Sequence, residues 1–166
     1  MEGLSSKEIE IVSYLELNGR LFFTKKDILR FFKNENELGV YLHRLKKKGR
    51  ILKLNKEKYY LIPVRAFRGH WSEHPFIIID EMFNGKDYVI RGMAAAHYWS
   101  LIEQIPTTIE VQCMNRQGER TIFNFTIIFK RTRKNSLQKA VKRKVKGHSF
   151  RISPREDVVN WLNSRG

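Results

Sequence analysis

The sequence predicts an α+β protein of 166 residues with two domains, residues 1–65 and residues 66–166. In the first part, apolar residues recur with helical spacing and are followed by two short runs typical of a β-hairpin. In the second part, β-branched and aromatic runs alternate with helical segments and turn residues. The pattern changes after Pro63, and residues 65–73 are predicted to link the two domains.

Two helices are predicted in the first forty residues. Ser5 or Ser6 is expected to cap the first helix, which ends at Asn18 and Gly19. Four apolar residues are predicted to form its inward face: Ile9, Val12, Leu15 and Leu17. Thr24 is expected to cap the second helix, and residues 33–36 then turn the chain into a third helix.

The third helix has the clearest pattern in the sequence. Leu38, Leu42 and Leu45 recur at i, i+4 and i+7, so one face packs inward while basic residues occupy its end. Gly49 follows the last helical lysine, where a left-handed helix end favours glycine.

A hairpin is predicted directly after this helix. Residues 51–54 and 59–62 alternate as paired strands do, and residues 55–58 form a tip that carries lysines. The order helix, turn, helix and hairpin is that of a winged helix-turn-helix.

The second domain is predicted to be a small α+β unit with a mostly antiparallel sheet. Helices are expected at residues 75–83, 92–101 and 154–163. Strands are expected at residues 87–91, 108–114 and 120–130, with a further extended segment at residues 149–152. The second and third of these strands are predicted to form a hairpin around a turn at residues 115–118.

Charge is segregated along the chain. Residues 1–65 carry 15 Lys and Arg against 8 Asp and Glu, residues 66–129 carry 5 against 7, and residues 130–166 carry 12 against 2. Two basic blocks on a chain of net charge +15 are the pattern of a nucleic-acid binder, because each neutralised phosphate releases counterions. The alternatives are a solvated lysine-rich surface and an anionic membrane partner. Neither block is an amphipathic helix with a broad aromatic face, which disfavours the membrane.

Composition excludes several other classes. The single cysteine, Cys113, allows no intramolecular disulfide and no cysteine-rich zinc site. The longest apolar run, residues 76–79, is too short to span a bilayer, and the first residues do not resemble a signal peptide. A cytoplasmic protein without a metal, a cofactor or a membrane partner is therefore expected.

Double-stranded DNA is the predicted partner. In a helix-turn-helix the second helix enters the major groove, where Asn36 and Arg44 are able to make bidentate contacts to bases, and the wing touches a neighbouring groove or the backbone. The predicted DNA-binding residues of both domains are Thr24, Lys25, Lys26, Asn36, His43, Arg44, Lys47, Lys48, Arg50, Lys53, Lys56, Lys58, Arg131, Arg133, Lys134, Lys142, Arg143 and Lys144. For residues 130–146, a clamp on the DNA backbone and a solvated or mobile basic segment both remain open.

Three other interpretations are open. An RNA-binding protein fits the same charges, and the near-neutral middle, with Tyr98 and Trp99, fits a homodimer or another protein-interaction surface. An enzyme is not expected, because the available histidines and carboxylates do not converge. A nuclease of the Asp…Glu-x-Lys type would require a lysine two residues after Glu110, where Gln112 stands.

The chain resembles the AbiEi-like antitoxins, the transcriptional regulators of type IV toxin–antitoxin systems. Residues 22–28, 41–51 and 59–63 carry the resemblance in the first domain. Residues 87–106 and 153–159 carry it in the second, as a strand, a small-residue helix and a later Ser-Pro helix start. The resemblance implies a DNA-binding autorepressor and, as a second partner, a nucleotidyltransferase toxin.

The sequence departs from the family pattern at several positions. Met93 stands where the family usually has serine, Ser100 where it usually has glycine, and Arg155 and Glu156 occur in inverted order. The chain also stops where family members continue into further helices. The resemblance therefore implies DNA binding more directly than it implies antitoxin activity.

Overall fold

The chain is an α+β protein with two compact units, Met1–Ser72 and Glu73–Gly166. The computed structural model describes residues 3–63 and 73–166. The predicted linker at residues 65–73 lies outside the described residues except for Glu73. Within the described residues, no helix is long and apolar enough to cross a membrane.

The described part of the first unit combines three α-helices with a small three-stranded sheet. Its helices are α1 (Ser6–Leu17), α2 (Lys25–Ile28), which continues as a 3-10 helix (Leu29–Phe31), and α3 (Glu35–Lys47). Its strands are β1 (Phe22–Thr24), β2 (Ile51–Lys53) and β3 (Lys58–Leu61). The sheet order is β1-β3-β2 and both pairings are antiparallel, so the predicted hairpin is confirmed and β1 adds a strand that the sequence pattern did not reveal.

The ends of the helices follow from their capping residues. The Ser5 hydroxyl accepts a hydrogen bond from the Glu8 backbone N–H at 3.3 Å, and the Glu8 carboxylate accepts one from the Ser5 N–H at 2.7 Å. The Asn34 side chain likewise accepts from the Glu37 N–H at 2.9 Å and starts α3. Gly49 ends α3 with φ of +71°, as predicted.

The core of the first unit lies between these helices and the sheet. Leu38, Leu42 and Leu45 are buried, which confirms the inward face of α3. The predicted face of α1 is partly wrong, because Ile9 is 51% and Leu17 87% exposed. A helix buries one stripe only, and α1 buries the stripe formed by Ile11, Val12 and Leu15.

An ion pair links α1 to the end of α3. The Lys48 ammonium lies 2.8 Å from the Glu8 carboxylate, whose side chain is 1% exposed. Burial alone would raise the pKa of Glu8, but hydrogen bonds from Lys48 and Ser5 outweigh it and hold the pKa below its ordinary value.

The second unit is built around one six-stranded sheet. Its helices are α4 (Pro75–Met82), α5 (Gly92–Tyr98), α6 (Lys134–Leu137) and α7 (Arg155–Asn163). Its strands are β4 (Tyr88–Arg91), β5 (Thr108–Cys113), β6 (Gly118–Ile122), β7 (Phe125–Arg131), β8 (Val141–Val145) and β9 (His148–Ile152).

The sheet order is β6-β7-β5-β4-β9-β8. Three pairings are antiparallel, whereas β5 pairs with β7 and β4 pairs with β9 in parallel, so the sheet is mixed. The predicted hairpin between residues 108–114 and 120–130 is wrong. Residues 123 and 124 form a turn that divides the predicted long strand, and β7 rather than β6 returns to pair with β5.

The two faces of this sheet differ in polarity. One face carries buried apolar residues, among them Ile90, Val111, Phe150 and Ile152, and packs against α4. Because side chains alternate along each strand, polar residues share the opposite face. They are Arg91, Glu110, Gln112, Lys130, Lys142, Lys144 and Arg151.

A hydrogen-bond network joins α4 to β4 and β9, which pair in parallel. The Tyr88 hydroxyl donates to the buried Asp80 carboxylate at 2.6 Å and accepts from the Arg151 backbone N–H at 2.9 Å. His148 Nε2 lies 2.9 Å from the other Asp80 oxygen. Burial and the hydrogen bond to Asp80 raise the pKa of Tyr88 far above its ordinary value.

Candidate nucleic-acid interface

Helix α3 presents two rows of residues opposite its leucine face. Asn36, Val40 and Arg44 are spaced by four residues and are all exposed, so they line up along the helix. Gly39 and His43 begin the neighbouring row, which continues to Lys47. The outward face predicted from the leucine spacing is therefore exposed on α3.

These rows border an open concavity. Its walls come from the start of α2 and the first three turns of α3, and its lining is Lys25, Glu35, Asn36, Gly39, Val40, His43 and Arg44. The Arg44 guanidinium lies 5.3 Å from the centre of the Tyr41 ring, and this cation–π contact keeps the Arg44 side chain close to the helix.

Gly39 has no structural reason to be glycine. It lies in the middle of α3, and a Cβ built on it would meet no atom of residues 3–63 or 73–166 within 4 Å. Glycine in a helix interior costs about 0.5–1 kcal/mol relative to alanine. The missing side chain leaves the backbone of α3 open to close approach from outside.

Val40 is an unusual neighbour for these polar groups. It is 48% exposed at the centre of the row formed by Asn36 and Arg44. An apolar side chain between two hydrogen-bonding side chains matches the edge of a base pair that offers a methyl group beside donors and acceptors.

The start of α3 is held in place by ionic contacts on its other side. The Glu37 carboxylate accepts from the Lys33 backbone N–H at 2.8 Å and from the Lys7 ammonium at 3.2 Å, and these contacts lower the pKa of Glu37. The Glu37 carboxylate is therefore bound to α1 and to the turn before α3, and Glu37 does not line the concavity.

Several basic side chains around α3 remain available. Lys25, Lys26, Lys47 and Lys56 are exposed, and their ammonium groups contact no carboxylate among the described residues. On the β2–β3 hairpin, the Lys53 ammonium lies 5.9 Å from the centre of the Tyr59 ring. Lys58, the residue before Tyr59, is partly buried.

Three predicted contact residues are placed elsewhere. Arg50 is only 7% exposed and belongs to the interior, and Lys48 is held by Glu8, so both are corrections to the predicted DNA-binding set. Both residues continue the basic run of α3, but Arg50 follows the left-handed turn at Gly49 and precedes the buried Ile51 of β2. The Thr24 hydroxyl donates to Asp27 at 3.2 Å as part of the cap of α2.

In the second unit, the basic segment 130–146 is built into the fold. It spans the end of β7, the short helix α6 and the outer strand β8. All six predicted contact residues in it are exposed: Arg131, Arg133, Lys134, Lys142, Arg143 and Lys144. Arg143 lies 5.1 Å from the centre of the Trp99 ring, while Lys142 and Lys144 share the polar face of the sheet.

Arg151 and Arg91 extend this basic surface, although no sequence pattern indicates them. Each lies alone in a strand among apolar residues, so neither forms part of a basic run. The register with β8 and β5 is what brings them onto the polar face.

His74 and Glu110, two side chains of the types that enzymes use for catalysis, have other contacts. His74 Nδ1 accepts from the Phe76 N–H at 3.1 Å and caps α4, and its pKa is lowered by burial and by Lys146. The Glu110 carboxylate lies 3.0 Å from the Lys130 ammonium. In the described part of the chain, no three His, Cys, Asp or Glu side chains lie together as a metal site would require. His70 falls outside the described residues.

No protein-family model matches this chain, and no curated protein matches it either.

Proposed function

We propose that the first unit is a winged helix-turn-helix that binds duplex DNA, with α3 in the major groove. The observation that carries the proposal is the outward row of Asn36, Val40 and Arg44, which combines hydrogen-bonding and apolar side chains beside a helix-interior glycine. Major-groove recognition by a helix uses this mixture of side chains.

The proposed roles follow from side-chain chemistry. Arg44 and Asn36 make bidentate hydrogen bonds, to guanine and adenine respectively, and Val40 contacts the methyl group of thymine. Lys25, Lys26, Lys47, Lys53, Lys56 and Lys58 contact phosphates. The exposed basic residues of segment 130–146 add phosphate contacts from the second unit and raise affinity without selecting a sequence.

The test compares one base-reading and one phosphate-contacting residue. A preferred site is first selected from a random duplex pool, and binding is then measured by gel shift over a range of salt. We expect Arg44→Ala to cost about 1–3 kcal/mol on the selected site and to relax the preference there. Lys56→Ala is expected to weaken all duplexes alike and to flatten the salt slope by about one unit.

Matched controls separate local contacts from total charge. Arg155→Ala and Lys86→Ala remove the same charges from exposed positions outside the proposed contact set. They are expected to change discrimination between sites very little. The proposal would be contradicted if Arg44→Ala and Arg155→Ala changed DNA affinity and site discrimination equally. Tighter binding of duplex RNA than of duplex DNA at matched salt would also contradict it.

The resemblance to AbiEi-like antitoxins extends the proposal to regulation. The protein would repress its own promoter and oppose a nucleotidyltransferase toxin encoded beside it. Co-expression with a neighbouring nucleotidyltransferase gene tests this part: restored growth supports the antitoxin role, and growth arrest despite full expression contradicts it without affecting DNA binding.

A further inference from the structure

The second unit contains a cavity of about 400 Å³ on the polar face of its sheet. Its floor is formed by Val89 and Arg91 of β4 and by Gln112 of β5. Its walls come from α6 with the turn after it on one side and from the start of α7 on the other. A volume of this size lies at the small end of the range for ligand pockets, about 300–1,000 Å³.

Six polar side chains of the cavity are not engaged by any other part of the chain that the structure describes. Arg91, Gln112, Asn135, Ser136, Lys139 and Asp157 line the cavity, and none of these side chains makes a hydrogen bond or ion pair with a described residue. Arg91 and Gln112 are partly buried, and the other four are exposed. All six side chains are therefore free to bind a ligand that enters the cavity.

Arg91 is the central group of this set. It is partly buried at the end of β4, and Gly92, with φ of +67°, turns the chain there directly into α5. Its cross-strand neighbour Glu110 is paired with Lys130 at 3.0 Å. Arg91 thus lies at the cavity floor, while the carboxylate of its partner residue on β5 is paired with Lys130.

The remaining lining indicates what kind of molecule fits. Arg91 and Lys139 attract an anionic group, and a guanidinium binds phosphate in a bidentate manner. Trp161 also lines the cavity, and Arg165, which does not line it, lies over one face of the indole, 4.8 Å from its ring centre. An aromatic side chain is a stacking partner for a base. The amides of Gln112 and Asn135 and the carboxylate of Asp157 suit the donors and acceptors of a base or a sugar.

We propose that this cavity binds a nucleoside phosphate, either as a free mononucleotide or as the phosphorylated end of a nucleic-acid strand. The phosphate lies against Arg91 and Lys139, and the planar base packs on Trp161. The cavity belongs to the second unit alone, so the proposal does not depend on DNA binding by α3.

The test is calorimetry on the full chain without duplex DNA. The four common nucleoside monophosphates, adenosine, inorganic phosphate and a 5′-phosphorylated dinucleotide are titrated separately. At least one monophosphate is expected to bind with a Kd of about 1 mM or tighter, and adenosine and inorganic phosphate at least about tenfold more weakly. Tighter binding of the dinucleotide assigns the site to a strand end, and weaker binding assigns it to free nucleotides.

Variants locate the binding. Arg91→Gln is expected to weaken the monophosphate at least about tenfold, since it removes charge-assisted hydrogen bonds. Arg155→Gln removes the same charge from an exposed position outside the lining and is expected to leave affinity within about twofold. Lys139→Gln changes an exposed side chain outside any helix or strand. If Arg91→Gln does not fold, the affinity of Lys139→Gln for the monophosphate decides whether the ligand binds in the cavity.

Three results would overturn the proposal. They are no binding of any monophosphate at about 10 mM, equal losses in the cavity variants and in Arg155→Gln, and binding of inorganic phosphate as tightly as the nucleotides. The last result would leave an anion site without recognition of the base.

Discussion

Helices α1, α3 and α5 end in the same hydrogen-bonded turn, yet the residue at its left-handed position differs. Gly19 and Gly49 occupy this position in α1 and α3 with φ of +62° and +71°. In α5 it is Ser100, with φ of +57°, whose N–H donates to the His97 carbonyl at 3.0 Å. Residues other than glycine are strained in this conformation.

Ser100→Gly is therefore expected to stabilise the second unit by about 0.5–1 kcal/mol, because the relieved strain exceeds the added flexibility of the unfolded chain. Urea denaturation followed by tryptophan fluorescence measures the change. Ser100→Ala keeps the strain and serves as the control, so an equal gain in both variants would contradict the explanation.

Replacing Gly39 is expected to raise stability and to lower DNA affinity. We expect Gly39→Ala to stabilise α3 by about 0.5–1 kcal/mol, because alanine is the better helix residue and its methyl group meets nothing. We also expect it to weaken the selected duplex about tenfold or more, since the methyl group occupies space that the proposed interface needs.

Thermal denaturation and gel shift on the same preparation measure both effects of Gly39→Ala. A more stable variant with unchanged DNA affinity would show that α3 does not approach DNA at this position. A loss of both properties would instead indicate a packing role for Gly39 that the open space around it does not suggest.

At the level of elements, local patterns predicted well what is local. The leucine spacing of α3, the helix start at Pro75 and the left-handed end at Gly49 all depend on residues within one or two turns. Strand β1 was missed because residues 22–24 are too few to show a period. The order of the large sheet was predicted wrongly. A sequence pattern suggests that each strand pairs with its neighbour along the chain, whereas β5 pairs with β7 and not with β6.

The contact between α1 and the end of α3 gives a stability prediction. Lys48→Met is expected to destabilise the first unit by about 3 kcal/mol at neutral pH, because it leaves the Glu8 carboxylate buried and unpaired. Lys46→Met, an exposed neighbour without such a contact, is the control. Urea denaturation followed by circular dichroism compares the two variants.

The same pair fixes the direction of the pH dependence. Because the pKa of Glu8 is lowered in the folded protein, its contribution is fully present above the ordinary value of 4.5 and is lost as pH falls through the lower folded pKa. Without Lys48, burial favours the protonated form of Glu8, so the deficit of Lys48→Met should begin to shrink above pH 4.5 and continue to shrink through that window, since protonation removes the unpaired charge. A deficit that stays constant down to about pH 3 would contradict the assignment.

For the whole molecule, the sequence predicted where charge accumulates but not how it is displayed. The outward residues of α3 followed from its leucines, and the basic segment 130–146 was visible as a run. Its position on an edge strand beside Arg151 depends on tertiary pairing, as does the cavity around Arg91. Both features arise from residues distant in sequence, which no short pattern connects.

Both basic blocks are expected to contribute to one salt dependence. If segment 130–146 contacts the same duplex as α3, Lys142→Gln combined with Lys144→Gln should flatten the slope of log affinity against log salt by about two units. The preferred site should be unchanged, in contrast to Arg44→Ala. An unchanged slope in the double variant would restrict the interface to the first unit.

The parallel pairing of β4 with β9 has a consequence for how the chain folds. Tyr88 and Arg151, which meet there, are 63 residues apart, whereas the contacts of the first unit close shorter loops. Refolding should therefore show a fast phase for the first unit and a slower one for the second. Until β9 docks, the apolar edge of β4 stays open to other chains, so the yield of native protein should fall as concentration rises during refolding.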